Sequence, residues 1–245
     1  MNKQTYKRHL KQALTKQGAD IGFTVLEDSS TNIYADTHLP SRFPFLVAAI
    51  SQKDGKGRLG RAFVSDKGGA YFTLQLLADK DFTPEKYTLA AGVGAAMALC
   101  GLPIGLKWPN DIFIEGKKLG GILCAGKPTA NGTLINCGIG INVTNDVSLI
   151  GAARLADYLP EEDIFTLIAK ITVTFLDLLN KTQDEILAHY KSYSIMPGKR
   201  IKVAAGEESF TATAVDIGPS GNLIAEKDGE QISLSAGDVS IIWDT

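Results

Sequence analysis

A change of rhythm at Pro197-Gly198 limits the folds open to this chain more than any other feature. Before it, short apolar or aromatic runs bounded by turn residues alternate with longer helical patterns. After it, strand-like runs recur at short spacing (200–204, 209–217, 222–227, 230–234 and 239–243), parted by Gly206, Gly218-Pro219-Ser220-Gly221, Asp228-Gly229 and Gly237. Strands interleaved with helices read as an α/β unit, whereas closely spaced strands with glycine turns read as a small β-barrel. At roughly 100–200 residues per domain, 245 residues accommodate one large domain and one small module. The expected division is a helical lead-in over 1–20, an α/β unit over 21–195 and a barrel over 196–245.

Within the first part, Leu10 and Leu14 form a thin apolar stripe on a basic helix over 2–17. Residues 45–50 and 70–77 read as strands. Thr83-Pro84-Glu85 starts a helix over 84–100 that Gly101 closes, and its Ala90 to Ala96 stretch is slim enough for close packing. Residues 105–125 read as a hairpin turning at Glu115-Gly116-Lys117, and a further strand ends in Gly138-Ile139-Gly140-Ile141-Asn142-Val143. Pro160-Glu161-Glu162-Asp163 opens a helix to about Leu179, and Thr182-Gln183-Asp184-Glu185 is a capping-box pattern for the next.

The 25 Lys and Arg against 27 Asp and Glu leave a net charge of −2, so no broad positive field for duplex DNA exists and any anion must be gripped by a local cluster. Cys100, Cys124 and Cys137 are odd in number and widely spaced without a Cys-x-x-Cys pair, so neither a disulfide framework nor a zinc site is expected. His9, His38 and His189 stand away from the motifs below. The N-terminus lacks a signal-peptide core and no apolar run nears the ~20 residues that cross a bilayer, which predicts a cytoplasmic protein without membrane contact.

The sharpest local cluster is Lys53-Asp54-Gly55-Lys56-Gly57-Arg58-Leu59-Gly60-Arg61, with four cations and three glycines in nine residues. Such a loop lets backbone amides approach an anion while side chains neutralise it. Read literally, Gly55-x-Gly57-x-x-Gly60 is a dinucleotide fingerprint, but turn and strand residues follow where a helix is needed. In Lys107-Trp108-Pro109-Asn110-Asp111, with Lys118 seven residues on, a carboxylate sits at the mouth of a hairpin whose returning strand carries an amine. Lys118 can stabilise charge growing on an acyl or phosphoryl oxygen while Asp111 orients or deprotonates an amine. Asp28-Ser29-Ser30-Thr31-Asn32 offers small polar groups at a strand end, which suits a neutral polar ligand or a simple turn.

Taken with Gln52, Lys118-Leu119-Gly120-Gly121-Ile122-Leu123 and the Gly138 to Val143 run, these motifs resemble the biotin protein ligase family in order and spacing, from about residue 22 to the end. The resemblance implies a class II synthetase-like α/β catalytic domain with a mixed sheet and flanking helices, plus an SH3-like C-terminal barrel. It implies a two-step reaction: biotin and MgATP give biotinyl-5′-AMP, and a lysine of a biotin carboxyl carrier protein then takes the biotin. Position by position, Ser30, Thr31, Gln52 and Gly55 look like biotin head-group contacts, with Tyr71 and Thr73 as further lining and Gly121 as the pocket floor. Arg58 and Lys118 resemble the contacts to biotin carboxylate and phosphate. Arg61, Phe63, Asn110 and Asn142 fall on the nucleotide side, Asp111 would assist the acceptor lysine, and Asn32 is given a turn-holding role. ATP and Mg2+ are implied, although no metal ligands can be named.

Departures from the family pattern are Lys56 and Leu59 in place of arginines, Phe63 in place of tryptophan, and Ala125 in place of an acid. Only about 29 residues precede Ser30, so the resemblance is to members without an N-terminal winged helix-turn-helix, and no nucleic acid partner is expected. A lipoate-type ligase on the related fold, or a biotin-binding protein without turnover, would carry similar motifs. On this reading the chain acts as a monomer or a homodimer.

Overall fold

Cross-strand pairing in the computed structural model, which describes residues 1–78, 84–205, 208–235 and 238–243, produces two sheets. The first has seven strands: β1 (Gly22–Leu26), β2 (Phe45–Ala49), β3 (Ala70–Ala78), β4 (Ile104–Lys107), β5 (Asp111–Ile114), β6 (Lys117–Thr129) and β7 (Gly132–Ile141), in the order β1-β2-β3-β7-β6-β5-β4. Only β1 and β2 run parallel; every other pair is antiparallel, so the sheet is mixed. Helix α1 (Lys3–Lys16) buries Tyr6, Leu10 and Leu14 against α4 (Ile164–Leu179), and α3 (Pro84–Ala98) packs between α4 and the sheet. A Cβ at Gly94 would stand 3.2 Å from the Phe175 backbone, which is why the slim stretch of α3 permits that approach. Helix α5 (Gln183–Tyr193) lies along β4 and α3.

The opposite face of the sheet carries one short helix, α2 (Thr31–Thr37), over β2, β3 and β7. Its small apolar cluster joins Leu26, Ala35, Val47, Ala49 and Tyr71. The segment had the composition of a turn, and the structure corrects that reading: Ser30 is an N-cap whose Oγ accepts the Ile33 N–H, and Asn32 lies in the first helical turn. Local capping was more legible at α5, where Thr182 and Glu185 form the expected reciprocal box at 3.2 and 2.8 Å. Helix α4 starts four residues later than Pro160 suggests, because the Asp163 carboxylate accepts the Thr166 N–H at 2.9 Å. Thr83, Gly206 and Gly237, given capping or turn roles, lie outside the described residues.

The second sheet is antiparallel throughout: β8 (Arg200–Ala205), β9 (Glu208–Ile217), β10 (Leu223–Lys227), β11 (Glu230–Leu234) and β12 (Asp238–Ile241), ordered β11-β10-β9-β8-β12. Among the described residues it shares one apolar core with the first unit and is also fastened by polar contacts. Trp108 Nε1 donates to the Gly221 carbonyl at 2.8 Å, Lys191 pairs with Asp216 at 2.6 Å, and Gln183 donates to the Pro219 carbonyl at 2.9 Å. One expectation is overturned outright. Cys124 and Cys137 form a disulfide, because they are register partners on β6 and β7 and an antiparallel hairpin cancels their separation in sequence. Cys100 is free and exposed. No helix among the described residues is long and apolar enough to cross a membrane.

Candidate active site

A cavity of about 140 Å³ opens where α2, the loop after β2, the β4–β5 turn and the centre of β6 and β7 converge. Its floor is bare backbone. Gly121 on β6 and Gly140 on β7 are register partners, and Gly138 lies two residues further along β7 on the same face. A Cβ at Gly140 would come within 2.7 Å of the Phe63 ring, and one at Gly138 would strike the Asn32 amide. Side-chain-free sheet at this spot is what leaves room for a ligand.

One end of the cavity is polar and largely neutral. Gln52 Oε1 accepts the Thr31 N–H at 2.8 Å and the Thr31 hydroxyl at 3.2 Å, and Gln52 Nε2 donates to Ser65 Oγ at 2.9 Å. Thr73 Oγ1 lies 2.8 Å from Thr31 Oγ1 and 3.0 Å from Asn32 Oδ1, extending the chain of hydrogen bonds beneath α2. The register explains the convergence: Thr73 pairs with Gly138, so the β3 hydroxyl stands beside the bare β7 position under the helix.

The other end is charged. Asp111 receives two ammoniums, Lys118 at 2.6 Å on Oδ1 and Lys107 at 3.3 Å on Oδ2. Asn110 donates through Nδ2 to the Ile122 carbonyl at 2.7 Å, which fixes its Oδ1, and Arg58 Nη1 lies 3.5 Å from that oxygen. Arg58 reaches in from a tongue closed by bridges Gln52↔Ser65 and Lys56↔Ala62, with Leu59 at φ 54° at its tip. Lys56, Arg61 and Phe63 from the same tongue line the cavity, and Val239 of the second sheet lines it from outside. Near Asp111, the phenol of Tyr190 is buried with no hydrogen-bond partner, and burial, then the Asp111 charge, push its pKa up.

The residues singled out by sequence fall into two groups. Thr31, Gln52, Arg58, Arg61, Phe63, Asn110, Asp111, Lys118 and Gly121 line the cavity. Ser30, Gly55, Tyr71, Thr73 and Asn142 stand behind its wall. Ser30 caps α2, Gly55 accepts the Phe63 N–H at 2.8 Å, and the Tyr71 hydroxyl donates to the Asp66 carbonyl at 2.8 Å. Burial, then the Asp66 charge, raises the Tyr71 pKa. Asn142 donates to the Ala153 carbonyl at 3.1 Å and accepts from Asn145 at 3.0 Å, so its amide holds the following loop. Asn32 lines the cavity, which corrects its turn-holding assignment, and Lys107, Gly138 and Gly140 join it. The signal for Lys107 was present: in a hairpin with a three-residue turn region at 108–110, residues 107 and 111 face each other.

The model of the Biotin/lipoate A/B protein ligase family matches residues 25–142, and that of the Biotin protein ligase C terminal domain matches residues 198–241. A Bifunctional ligase/repressor BirA of Bacillus spizizenii is 34% identical over 60% of this chain, which covers 45% of that protein's length. A Biotin--[acetyl-CoA-carboxylase] ligase of Mycobacterium tuberculosis is 26% identical over 79% of this chain and 77% of its own. Among solved structures, the biotin protein ligase from Aquifex aeolicus in complex with biotin and ATP superposes with a TM-score of 0.77 at 24% identity, covering 91% of this chain and 99% of that one. At that identity the likeness speaks for the fold. With the two family models matching in tandem, one over the strands that build the cavity and the other over the second sheet, the chain belongs to the biotin/lipoate A/B protein ligase family and carries the biotin protein ligase C-terminal domain.

Proposed function

We propose that this chain is an ATP-dependent biotin protein ligase. It joins biotin to MgATP as biotinyl-5′-AMP with release of pyrophosphate, then passes biotin to a lysine of a biotin carboxyl carrier protein with release of AMP. The observation that carries the reading is the polarity of one cavity: neutral hydrogen-bonding groups on Thr31, Asn32 and Gln52 at one end, and Arg58, Lys118 and Asp111 at the other, across a glycine floor. A neutral cyclic head with a carboxylate at the far end of a chain matches that division.

In this reading Thr31 and Gln52 hold the biotin head, with Ser30, Gly55, Tyr71 and Thr73 setting their geometry from behind. Arg58 and Lys118 sit between two anions, the biotin carboxylate and the α-phosphate, and stabilise the charge that builds as they join. Arg61, Phe63 and Asn110 face the nucleotide, and Asn142 shapes the loop on that side. The tongue carrying Arg58 shields the mixed anhydride from water. Asp111 receives the acceptor lysine in the second step.

Among the described residues no group of three or more His, Cys, Asp or Glu gathers as a metal cage, and Asp111, the carboxylate lining the cavity, already holds two ammoniums. Magnesium therefore enters with ATP, held by phosphates and water as a small hard cation prefers. The residue division 1–20, 21–195 and 196–245 is retained as a proposal, with the last segment helping to dock ATP or the carrier.

The test is pyrophosphate release from MgATP with biotin, with lipoate in parallel, followed by transfer to a carrier domain. Turnover with biotin alone is expected. Turnover with lipoate instead, or biotin binding without an adenylate, would overturn the proposal.

A further inference from the structure

Lys107 belongs to no role assigned so far, yet it is the less exposed of the two ammoniums on Asp111. Its side chain is 12% exposed, that of Asp111 16% and that of Lys118 42%. Lys107 faces Asp111 as its register partner across the β4–β5 hairpin, and the Phe113 ring lies 5.9 Å from its Nζ. Lys118 arrives from β6, beyond a register shift between Ile112 and Phe113, and sits at the rim of the cavity.

The two contacts therefore differ in kind. An ammonium held 2.6 Å from a carboxylate presents little bare charge to an incoming anion, so Lys118 has to leave Asp111 before it can act on the reactants. Leaving a largely buried carboxylate without a counter-ion is strongly opposed. With Lys107 on the second oxygen the carboxylate stays neutralised, and the set of two ammoniums and one carboxylate keeps one positive charge for the ligand.

Resting on the ligase reading above, we infer that Lys107 is a positioning residue, the fixed counter-ion of Asp111 that releases Lys118 from its resting ion pair to the carboxylate and phosphate of the reactants. It touches neither reactant. Its removal tightens the hold of Asp111 on Lys118.

The experiment is single-turnover pyrophosphate release by Lys107→Met, by the double variant Lys107→Met with Asp111→Asn, and by Lys107→Arg. Lys107→Met is expected to slow adenylate formation by about 10²-fold, the scale of unbalancing one partly buried charge. Biotin still binds without ATP and its affinity falls less than the rate does, because the head-group contacts lie at the other end. Adding Asp111→Asn removes the charge that Lys107 balances and recovers most of the lost rate, and Lys107→Arg recovers part of it. An unaltered rate in Lys107→Met, or a defect that Asp111→Asn does not relieve, would overturn the inference. If Lys107→Met does not fold, Lys107→Gln, which keeps a donor for Oδ2 without the charge, is read in the same way. Failure of the unaltered protein to release pyrophosphate with biotin would instead sink the ligase reading and the inference with it.

Discussion

At the scale of single residues, the cavity depends on a few side chains and on the absence of others. Lys118→Ala is expected to slow biotinyl-AMP formation by about 10²–10³, the scale of losing one charge-stabilising donor. Calorimetry with biotin alone should show binding retained, since Thr31 and Gln52 are untouched. Gly138→Ala acts at the opposite end. Its methyl group meets the Asn32 amide, and relieving an overpacked contact of this kind costs about 1–3 kcal/mol of folded-state stability, so the thermal midpoint and the biotin affinity should both fall. Unchanged affinity would mean that Asn32 is not part of the pocket wall. Chemistry-bearing residues within one motif, such as Asn110, Asp111 and Lys118, were legible because their types and spacing are local. Of the bare floor only Gly121 was named, through the resemblance; Gly138 and Gly140 complete it because β6 and β7 pair in the register that sets Gly121 beside Gly140.

Among elements, the tongue between β2 and β3 is the one whose shape matters most for chemistry. Its backbone is closed on itself by Gln52 N–H to the Ser65 carbonyl at 2.9 Å and Gly57 N–H to the Arg61 carbonyl at 2.8 Å, which leaves Arg58 pointing at Asn110. Arg58→Gly is expected to leave a site that makes the adenylate and loses it. Labelling of an unrelated lysine-rich protein with biotin should rise in that variant, and labelling no greater than with the unaltered chain would show that the tongue does not retain the intermediate. Capping predicted α5 well because a box needs only four consecutive residues. It failed at α2, where a seven-residue helix starts on the same Ser-Thr-Asn composition that turns use. The Cys124–Cys137 bond was missed for the same reason as the β7 part of the glycine floor: both are properties of strand pairing, which spacing along the chain does not reveal.

Over the whole molecule, the second sheet is attached through a shared apolar core and through polar contacts that respond differently to pH. Burial pushes the Asp216 carboxyl up, but the hydrogen bond from Lys191, the Ile217 N–H and the Lys191 charge outweigh it and hold the pKa below its usual 3.8. A group depressed in the folded state stabilises it above the unfolded value and ceases to do so as the pH falls through the folded value. Acid should thus weaken this attachment below about pH 4, and Asp216→Asn should flatten the pH dependence of the thermal midpoint in that range; an unchanged acid limb would rule the pair out as a fastening. Trp108 and Gln183 make the contacts that pH does not touch, since neither an indole nor an amide titrates in this range. The chain has two tryptophans, one 2% exposed and bonded to Gly221 at the seam, the other, Trp243, 47% exposed near the end of the second sheet. The molecule consequently carries its own optical probe: with Trp243 replaced by phenylalanine, all remaining indole emission comes from the seam beside Asn110 and Asp111. A red shift in that emission would report water reaching the seam without any attached dye.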